Sequence, residues 1–195
     1  MKKTLLLAIT LLTLVAGSTL KAQKNVIKAN VFSPLVRTGS FFYERGLNDN
    51  SSLQLGVYFT AFSAGDAKWR GFGITPEYRY YPSGNGVDGF YLAPFVRYQS
   101  ITISQEYENI IFDFNGNTTS KTEESSATLT TFGGGFLVGR QWIFGEHISL
   151  DTFIGPCFNT GSASAISTED DDVDFDSGSF EGFGVRFGLT VGFAF

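Results

Sequence analysis

Cysteine and histidine are almost absent from this chain, each occurring once, as Cys157 and His147. A single cysteine excludes an internal disulfide, and Cys157 lies too far from the N-terminal region to carry a lipoprotein anchor. One histidine and one unpaired cysteine also make a weak metal site, because protein zinc sites draw on three or four converging ligands. Neither a covalent cross-link nor a soft-metal centre therefore explains how this chain folds.

Long apolar runs are missing beyond the first 22 residues, so no later segment predicts a membrane helix. The N-terminal run Leu5–Val15 spans only eleven residues, whereas a helix needs about 20 to cross a bilayer. It follows Lys2 and Lys3 and precedes a cleavage site after Ala22, with Ser18 as the alternative. Residues 1–22 are therefore predicted to be a secretory signal peptide, and 23–195 one domain.

Positive charge is scarce, with 14 lysine and arginine residues against 19 acidic residues and a net charge of −5. A surface that binds nucleic acid needs the opposite balance, so nucleic acid is excluded as a partner. Charged residues make up 17% of the chain, whereas glycine occurs 23 times and aromatic residues make up 16%. The fold prediction depends on where these glycines and aromatic residues stand.

The clearest pattern lies in the last fifteen residues. Every odd position from Phe183 to Phe195 is apolar, whereas the even positions include four glycines and Arg186. A period of two indicates a β-strand with one apolar face. A soluble core strand would not carry Arg186 at the middle of its inner face without a partner. Lipid outside the strand and a narrow polar lumen inside it would produce this pattern.

Seven further segments alternate in the same way, and the connections between them are short after the second, fourth and sixth strands. Short periplasmic turns and longer external loops are typical of outer-membrane barrels, in which an even strand number leaves both chain ends on the periplasmic side. The sequence therefore predicts an all-β fold, an eight-stranded antiparallel up-and-down transmembrane β-barrel. The predicted strands are about 25–35, 39–47, 52–63, 69–81, from 89 onward, up to 144, 147–160 and 183–195.

Two long connections, 104–126 and 161–180, are predicted to project outside the cell. Alternation at Ile110, Phe112 and Phe114 before Asn115-Gly116 predicts that the fifth and sixth strands continue past the bilayer as a hairpin. Both strands place their even residues outward, so the hairpin needs a turn of odd length or a bulge. These two loops are the candidate contact surface for an extracellular ligand.

Strand parity places seven charged side chains on the predicted lumen face. Unpaired charges there would cost several kcal/mol each, so we expect them to pair. Because an eight-stranded barrel is just wide enough for side chains to fill, the resulting lumen charge network would close it. A narrow path for ions is the alternative. The predicted network comprises Lys28, Glu44, Glu77, Arg79, Arg97, Asp151 and Arg186.

An acidic run places six carboxylates within residues 169–176, and Asp172, Asp174 and Asp176 are its weak candidates for a divalent-cation site. The spacing does not fit an EF-hand, because Gly178 stands seventh from Asp172 instead of sixth. The expectation is a solvated external loop. No metal or other cofactor is predicted.

His147 raises the question of an enzyme, because Ser149 and Asp151 follow it on the same face of a predicted strand. However, His147 lies in a predicted periplasmic turn, whereas lipid-modifying barrels generally work on the outer leaflet. The sequence also lacks a Gly-x-Ser-x-Gly motif. The prediction is a protein without enzymatic activity.

The stretches Gly73–Pro82 (GITPEYRYYP) and Gly89–Phe95 (GFYLAPF), with a final strand ending at Phe195, resemble a known group of proteins. They are similar to small outer-membrane β-barrel proteins of Bacteroides-type bacteria, which are OmpA/OmpX-like eight-stranded barrels. The resemblance implies a location in the cell outer membrane, contact with its lipids, and recognition of Phe195 as an assembly signal by the barrel-assembly machinery. It implies no activity, since most such proteins have none assigned.

The expected function is that of a monomeric outer-membrane barrel with a filled lumen and a structural or surface-interaction role through its external loops. A narrow channel for ions or small solutes is the main alternative, ahead of a lipid-modifying enzyme. A soluble lipocalin-like barrel in the periplasm is the competing architecture. It would need a charged outer face, whereas the polar face here holds mainly glycines and seven charges.

Overall fold

A computed structural model describes residues 25–65, 67–112, 118–166 and 181–195, without the side chains of 64, 106–112, 118–124 and 163–166. The predicted signal peptide and the acidic run, including Asp172, Asp174 and Asp176, lie outside these ranges. No helix in the described ranges is long and apolar enough to cross a membrane.

Eight strands form one closed antiparallel sheet, in which each strand pairs with its neighbour in sequence and β1 pairs with β8. The prediction of an eight-stranded up-and-down barrel is therefore confirmed. Backbone hydrogen bonds between Asn25 and Phe195, at 2.9 and 3.1 Å, close the sheet where the first strand meets the last. The strands are β1 (Asn25–Asn30), β2 (Thr38–Asn48), β3 (Ser51–Ala64), β4 (Ala67–Tyr80), β5 (Gly89–Phe112), β6 (Thr118–Phe144), β7 (Ile148–Ile166) and β8 (Gly182–Ala194).

The first strand is shorter than predicted. The sequence pattern extends it to residue 35, whereas β1 ends at Asn30 and a 3-10 helix follows over Ser33–Val36. Pro34 stands in the first turn of that helix, where its missing N–H costs nothing, and Arg37 ends the helix in the left-handed conformation with φ of 53°. The apolar residues Val31 and Leu35 therefore belong to a connection instead of the barrel wall.

The two ends of the barrel differ in their connections. The turn end carries the connections 49–50, 81–88 and 145–147, together with the terminal residues Asn25 and Phe195. The loop end carries the 3-10 helix and the connections β3–β4, β5–β6 and β7–β8. All side chains discussed below are placed relative to these two ends.

The strands β5 and β6 extend beyond their other neighbours as a two-stranded ribbon. They pair without a register shift from Gly89 and Gln141 to Phe112 and Thr118, which leaves the five residues 113–117 between the last partners. The number of residues between the last partners is therefore odd, which is one of the two predicted solutions, and the predicted turn residues Asn115-Gly116 lie outside the described residues. The second predicted loop starts later than residue 161, because 161–166 continue β7 and pair with β6.

Polar and apolar residues are distributed in the reverse of a water-soluble barrel. The largest fully buried side chains include Arg79, Lys28, Glu44 and Glu77. In contrast, apolar side chains at alternate positions of the strands point outward and are about half exposed. Examples from five strands are Phe41, Leu53, Ile74, Val138 and Phe187. The outer face is thus apolar and the lumen polar.

The ribbon should be dispensable for folding. Within the described residues, β4 pairs with β5 only as far as Gln105, and β7 pairs with β6 only as far as Ser126. Replacing residues 106–124 by Asn-Gly would join the paired residues Gln105 and Ser125 through a two-residue hairpin turn. We expect this variant and the full chain alike to keep the distinct gel mobility of a folded barrel until they are boiled. Loss of this heat-dependent shift in the variant alone would show that the ribbon stabilises the barrel.

Candidate functional site

Five polar side chains from five different strands meet in the turn-end half of the lumen, and we call them the central cluster. Because they come from different strands, they bridge the lumen instead of following one wall. All five are at most 1% exposed. The members are Lys28 on β1, Glu44 on β2, Arg79 on β4, Gln141 on β6 and Asp151 on β7.

Lys28 lies at the middle of the central cluster. Its Nζ donates to Glu44 Oε2 at 2.6 Å, to Gln141 Oε1 at 2.6 Å and to Asp151 Oδ2 at 3.1 Å. An ammonium group has three protons to donate, and these acceptors use all of them. The buried charge therefore has the hydrogen bonds that offset the cost of leaving water.

Arg79 is the second cation of the cluster, with Nη1 at 2.8 Å from Asp151 Oδ2 and 3.3 Å from Glu44 Oε2. Its guanidinium carbon lies 4.2 Å from the ring centroid of Tyr91, a cation–π distance. The Tyr91 hydroxyl donates to Asp151 Oδ1 at 2.8 Å, and the Tyr81 hydroxyl donates to Glu44 Oε1 at 2.6 Å. The tyrosines thus bind the carboxylate oxygens that the cations do not use.

The central cluster is electrically neutral, because two cations face two carboxylates. Between the cluster and the turn end, Val26, Val87 and Ala194 form a buried apolar layer. Both layers are shielded from solvent. Together they close the turn-end half of the lumen.

Glu77 and Arg186 form a second ion pair farther toward the loop end. Arg186 Nη2 lies 3.4 Å from Glu77 Oε1, and Gln54 Nε2 donates to the same oxygen at 2.7 Å. The Arg186 guanidinium carbon lies 4.7 Å from the ring centroid of Phe95 and 5.1 Å from that of Phe153. Arg79 approaches the other Glu77 oxygen only to 3.8 Å. A short hydrogen bond from Gln54 therefore holds Glu77, and the rings of Phe95 and Phe153 hold Arg186.

Arg97 departs from the expectation that every lumen charge pairs. Its Nε donates to Thr75 Oγ1 at 3.2 Å, and its guanidinium carbon lies 6.0 Å from the ring centroid of Phe95. No carboxylate within the described part of the chain forms an ion pair with it. The prediction of full pairing is wrong here, because Glu77 is already shared by Arg186 and Arg79.

A cavity of about 370 Å³ occupies the loop-end half of the lumen. The lining residues Asn30, Tyr58, Arg97 and Asn159 are half-buried, whereas the central cluster is fully buried, so within the described residues the cavity reaches solvent at the loop end. The lining side chains that matter below are Asn30, Tyr58, Arg97, Phe153, Asn159 and Arg186.

Interior glycines make room for the aromatic rings of this cavity. A Cβ at Gly188 would collide with the ring of Phe153, its direct partner across β7 and β8. A Cβ at Gly73 would likewise collide with the ring of Tyr58 across β3 and β4. The bare inner face of the last strand therefore receives a large side chain from its neighbour.

His147 lies outside both the central cluster and the ion pair of Glu77 and Arg186. It is exposed in the β6–β7 connection, with Nδ1 at 3.1 Å from the Gly145 carbonyl oxygen and its ring centroid 5.3 Å from that of Phe193. Ser149 is fully buried, and Asp151 belongs to the central cluster. The structure therefore does not assemble the three residues into a catalytic group. In the described ranges, no three His, Cys, Asp or Glu side chains are placed to hold a metal ion.

The chain is similar to a known protein family. A family model matches residues 7–184, which is most of the chain. The chain belongs to the family described as "Protein of unknown function (DUF3575)". No curated protein matches the chain.

The chain is also similar to solved structures. A major outer membrane protein from Thermus thermophilus matches with a TM-score of 0.51 and 15% identity, over 90% of this chain and 100% of that chain. CarO2 of Acinetobacter baumannii matches with a TM-score of 0.47 and 11% identity, over 91% and 100% of the two chains. The N-terminal β-barrel domain of Pseudomonas aeruginosa OprF matches with a TM-score of 0.38 and 16% identity, over 90% and 100%. The Thermus protein supports the barrel fold, whereas the resemblance to small barrel proteins of Bacteroides-type bacteria stays a prediction.

Four uncharged side chains form hydrogen bonds with the charged groups of the central cluster, and the sequence pattern alone does not identify them as functional residues. Gln141 joins Lys28 to the backbone, because its Nε2 donates to the Val87 carbonyl oxygen at 2.7 Å. The other three, Ser52, Tyr81 and Tyr91, donate hydroxyl protons to the cluster carboxylates. Strand parity places Tyr91 and Gln141 on the lumen face, but it does not show which charges they meet.

Breaking one member of the central cluster should destabilise the barrel strongly. Asp151→Asn leaves Lys28 and Arg79 facing a single carboxylate, and losing one partner of a buried pair costs about 3–5 kcal/mol. We expect that loss in the free energy of unfolding, measured by urea titration of the protein folded in lipid vesicles.

The matched control restores neutrality. In the double variant Lys28→Gln, Asp151→Asn, one cation and one carboxylate leave together, so its loss should be smaller than the sum of the two single losses. Additive losses would contradict a coupled cluster.

Proposed function

We propose that this protein is an integral outer-membrane barrel with a closed lumen, which presents its loop end at the cell surface and has no catalytic role. The observation that carries the proposal is the combination of an apolar outer face with a neutral, fully buried charge cluster inside. Lipid around the barrel explains the first feature, and a lumen filled by side chains explains the second.

The height of the apolar face supports a membrane location. The outward residues of β8 run from Phe183 to Phe193 without a charge. Ten residue steps of about 3.3 Å, tilted by about 45°, rise about 23 Å, close to the apolar band of about 25 Å in outer-membrane barrels. The charged outward side chains that the structure describes lie toward strand ends, at Arg45, Lys68, Arg70 and Arg140.

The turn-end rim carries the side chains that an interface between lipid and water favours. Arg140 places its guanidinium carbon 4.5 Å from the ring centroid of Phe90 and 5.1 Å from that of Trp142. Aromatic rings and long basic side chains anchor proteins at this depth, because each has an apolar body and a polar tip. Outward aromatic residues of this rim also include Tyr80, Phe144 and Phe193.

The loop end is the proposed contact surface. Within the described residues, the ribbon of β5 and β6 projects beyond the other strands there, and the described parts of the predicted ligand-binding segments 104–126 and 161–180 lie at this end. A closed sheet has no free edge to recruit a second copy, which favours a monomer. Recognition of Phe195 by the barrel-assembly machinery stays a prediction.

A charge introduced at two different heights on the outer face tests whether the barrel lies in a membrane. Phe187 and Phe183 point outward from the same strand and are 66% and 77% exposed, but Phe187 lies nearer its middle. Phe187→Arg should lower the free energy of unfolding in lipid vesicles by about 2–4 kcal/mol, and Phe183→Arg by about 0–1 kcal/mol. Urea titration of both variants measures the difference. Equal losses would argue against a lipid-facing strand.

The closed lumen predicts that the protein does not conduct ions across a membrane. The full chain, inserted into a planar lipid bilayer, should show no discrete conductance steps. The reason is that the central cluster, together with the apolar layer between it and the turn end, fills the turn-end half of the lumen. Heat-dependent gel mobility of the same sample establishes that the inserted protein is folded. Reproducible single-channel steps from that sample would favour the channel alternative.

A further inference from the structure

Positive charge in the lumen is unevenly distributed along the barrel axis. Among the described lumen side chains, the central cluster contains two cations and two carboxylates, whereas the loop-end half contains Arg97, Arg186 and a single carboxylate, Glu77. The excess charge therefore lies where the cavity opens to solvent. Such a position favours an anion that binds inside the cavity.

Arg186 lines this cavity and, among the described residues, keeps an unused hydrogen-bond donor. Its side chain is more than nine-tenths buried and lines the cavity, and its Nη1 has no hydrogen-bond partner in the described structure. Only Nη2 reaches Glu77, at 3.4 Å. The rings of Phe95 and Phe153 hold the guanidinium plane in place, so little conformational freedom is left to lose when a ligand binds.

Arg97 supplies a second guanidinium on the same cavity wall. Its only side-chain hydrogen bond in the described chain is the one from Nε to Thr75, so its two terminal nitrogens are not committed to a carboxylate. Arginine forks match carboxylate oxygens in a bidentate manner. Two such forks facing one cavity form an anchor for a single anionic group.

The other residues that line the cavity limit the size and the chemical character of the ligand. Tyr58 and Phe153 add aromatic surface, and Asn30 and Asn159 add amide groups toward the opening. A volume of about 370 Å³ holds on the order of ten non-hydrogen atoms when each occupies about as much space as a water molecule. The cavity therefore suits a small anion with an apolar body.

We infer that the loop-end cavity is a binding site for a small organic carboxylate, whose charged group is bound by Arg97 and Arg186 and whose apolar body lies against Tyr58 and Phe153. The ligand enters and leaves through the loop end, because the central cluster closes the other half. This site goes beyond the proposed surface role and does not depend on what the external loops contact.

The test compares two probes of nearly the same shape. Benzoate and benzamide differ chiefly in charge, so titration calorimetry with the folded full chain in detergent micelles separates recognition of the carboxylate from insertion of the ring. Protein-free micelles correct for partition of the probes into detergent. Benzoate should bind at least about tenfold more tightly than benzamide, as expected for a charge-assisted hydrogen bond.

Three variants assign the binding to the cavity. Arg97→Gln is the main one, because Arg97 takes part in no ion pair, within the described residues, whose loss would unfold the barrel. Gly184→Leu blocks the cavity without changing its charge, since a Cβ there meets only Cys157 Sγ at 3.4 Å. Arg70→Gln is the matched control, because Arg70 is an exposed arginine on the outer face.

Benzoate affinity should fall about tenfold or more in Arg97→Gln and Gly184→Leu, and it should stay unchanged in Arg70→Gln. Heat-dependent gel mobility checks that each variant is folded. Equal binding of benzoate and benzamide, or unchanged benzoate binding in folded Arg97→Gln, would overturn the site. Neither result depends on membrane insertion, which the Phe187 and Phe183 variants test separately.

Discussion

The ion-pair cluster across the lumen is the constraint on which the rest of this structure depends. A barrel whose outer face is apolar must place its polar residues inside, where each charge needs a partner. Lys28 and Arg79 share Glu44 and Asp151, and tyrosine and serine hydroxyls bind the remaining carboxylate oxygens. Because these side chains come from opposite walls, their contacts also hold the closed sheet together across its middle.

The narrowness of the lumen explains the glycine-rich inner face. Eight strands leave room for little more than the side chains themselves, so a large ring on one strand requires its neighbour to have none. Gly188 opposite Phe153 and Gly73 opposite Tyr58 show this complementarity. The same rings form the walls of the loop-end cavity, and Phe153 also supports Arg186. Packing and the candidate site are therefore built from the same residues.

The two halves of the lumen differ in a way that bears on function. Among the described residues, the turn-end half is neutral and sealed, whereas the loop-end half carries excess positive charge around a cavity that reaches solvent. A path for ions through the barrel would have to break several buried ion pairs, each costly to separate. A site open on one side only is instead suited to holding a small solute.

The sequence by itself determined the number of strands, their faces and the need for an odd-length turn or a bulge between β5 and β6, because a period of two is a local property of the chain. It also placed Arg97 and Arg186 on the lumen face. Only the tertiary structure decided which charges meet, since Lys28 and Asp151 are 123 residues apart and barrel closure sets their heights. The same holds for the role of Gln141, which carries no charge, and for the absence of a carboxylate beside Arg97 in the described chain. That absence turns a predicted structural ion pair into a candidate binding site.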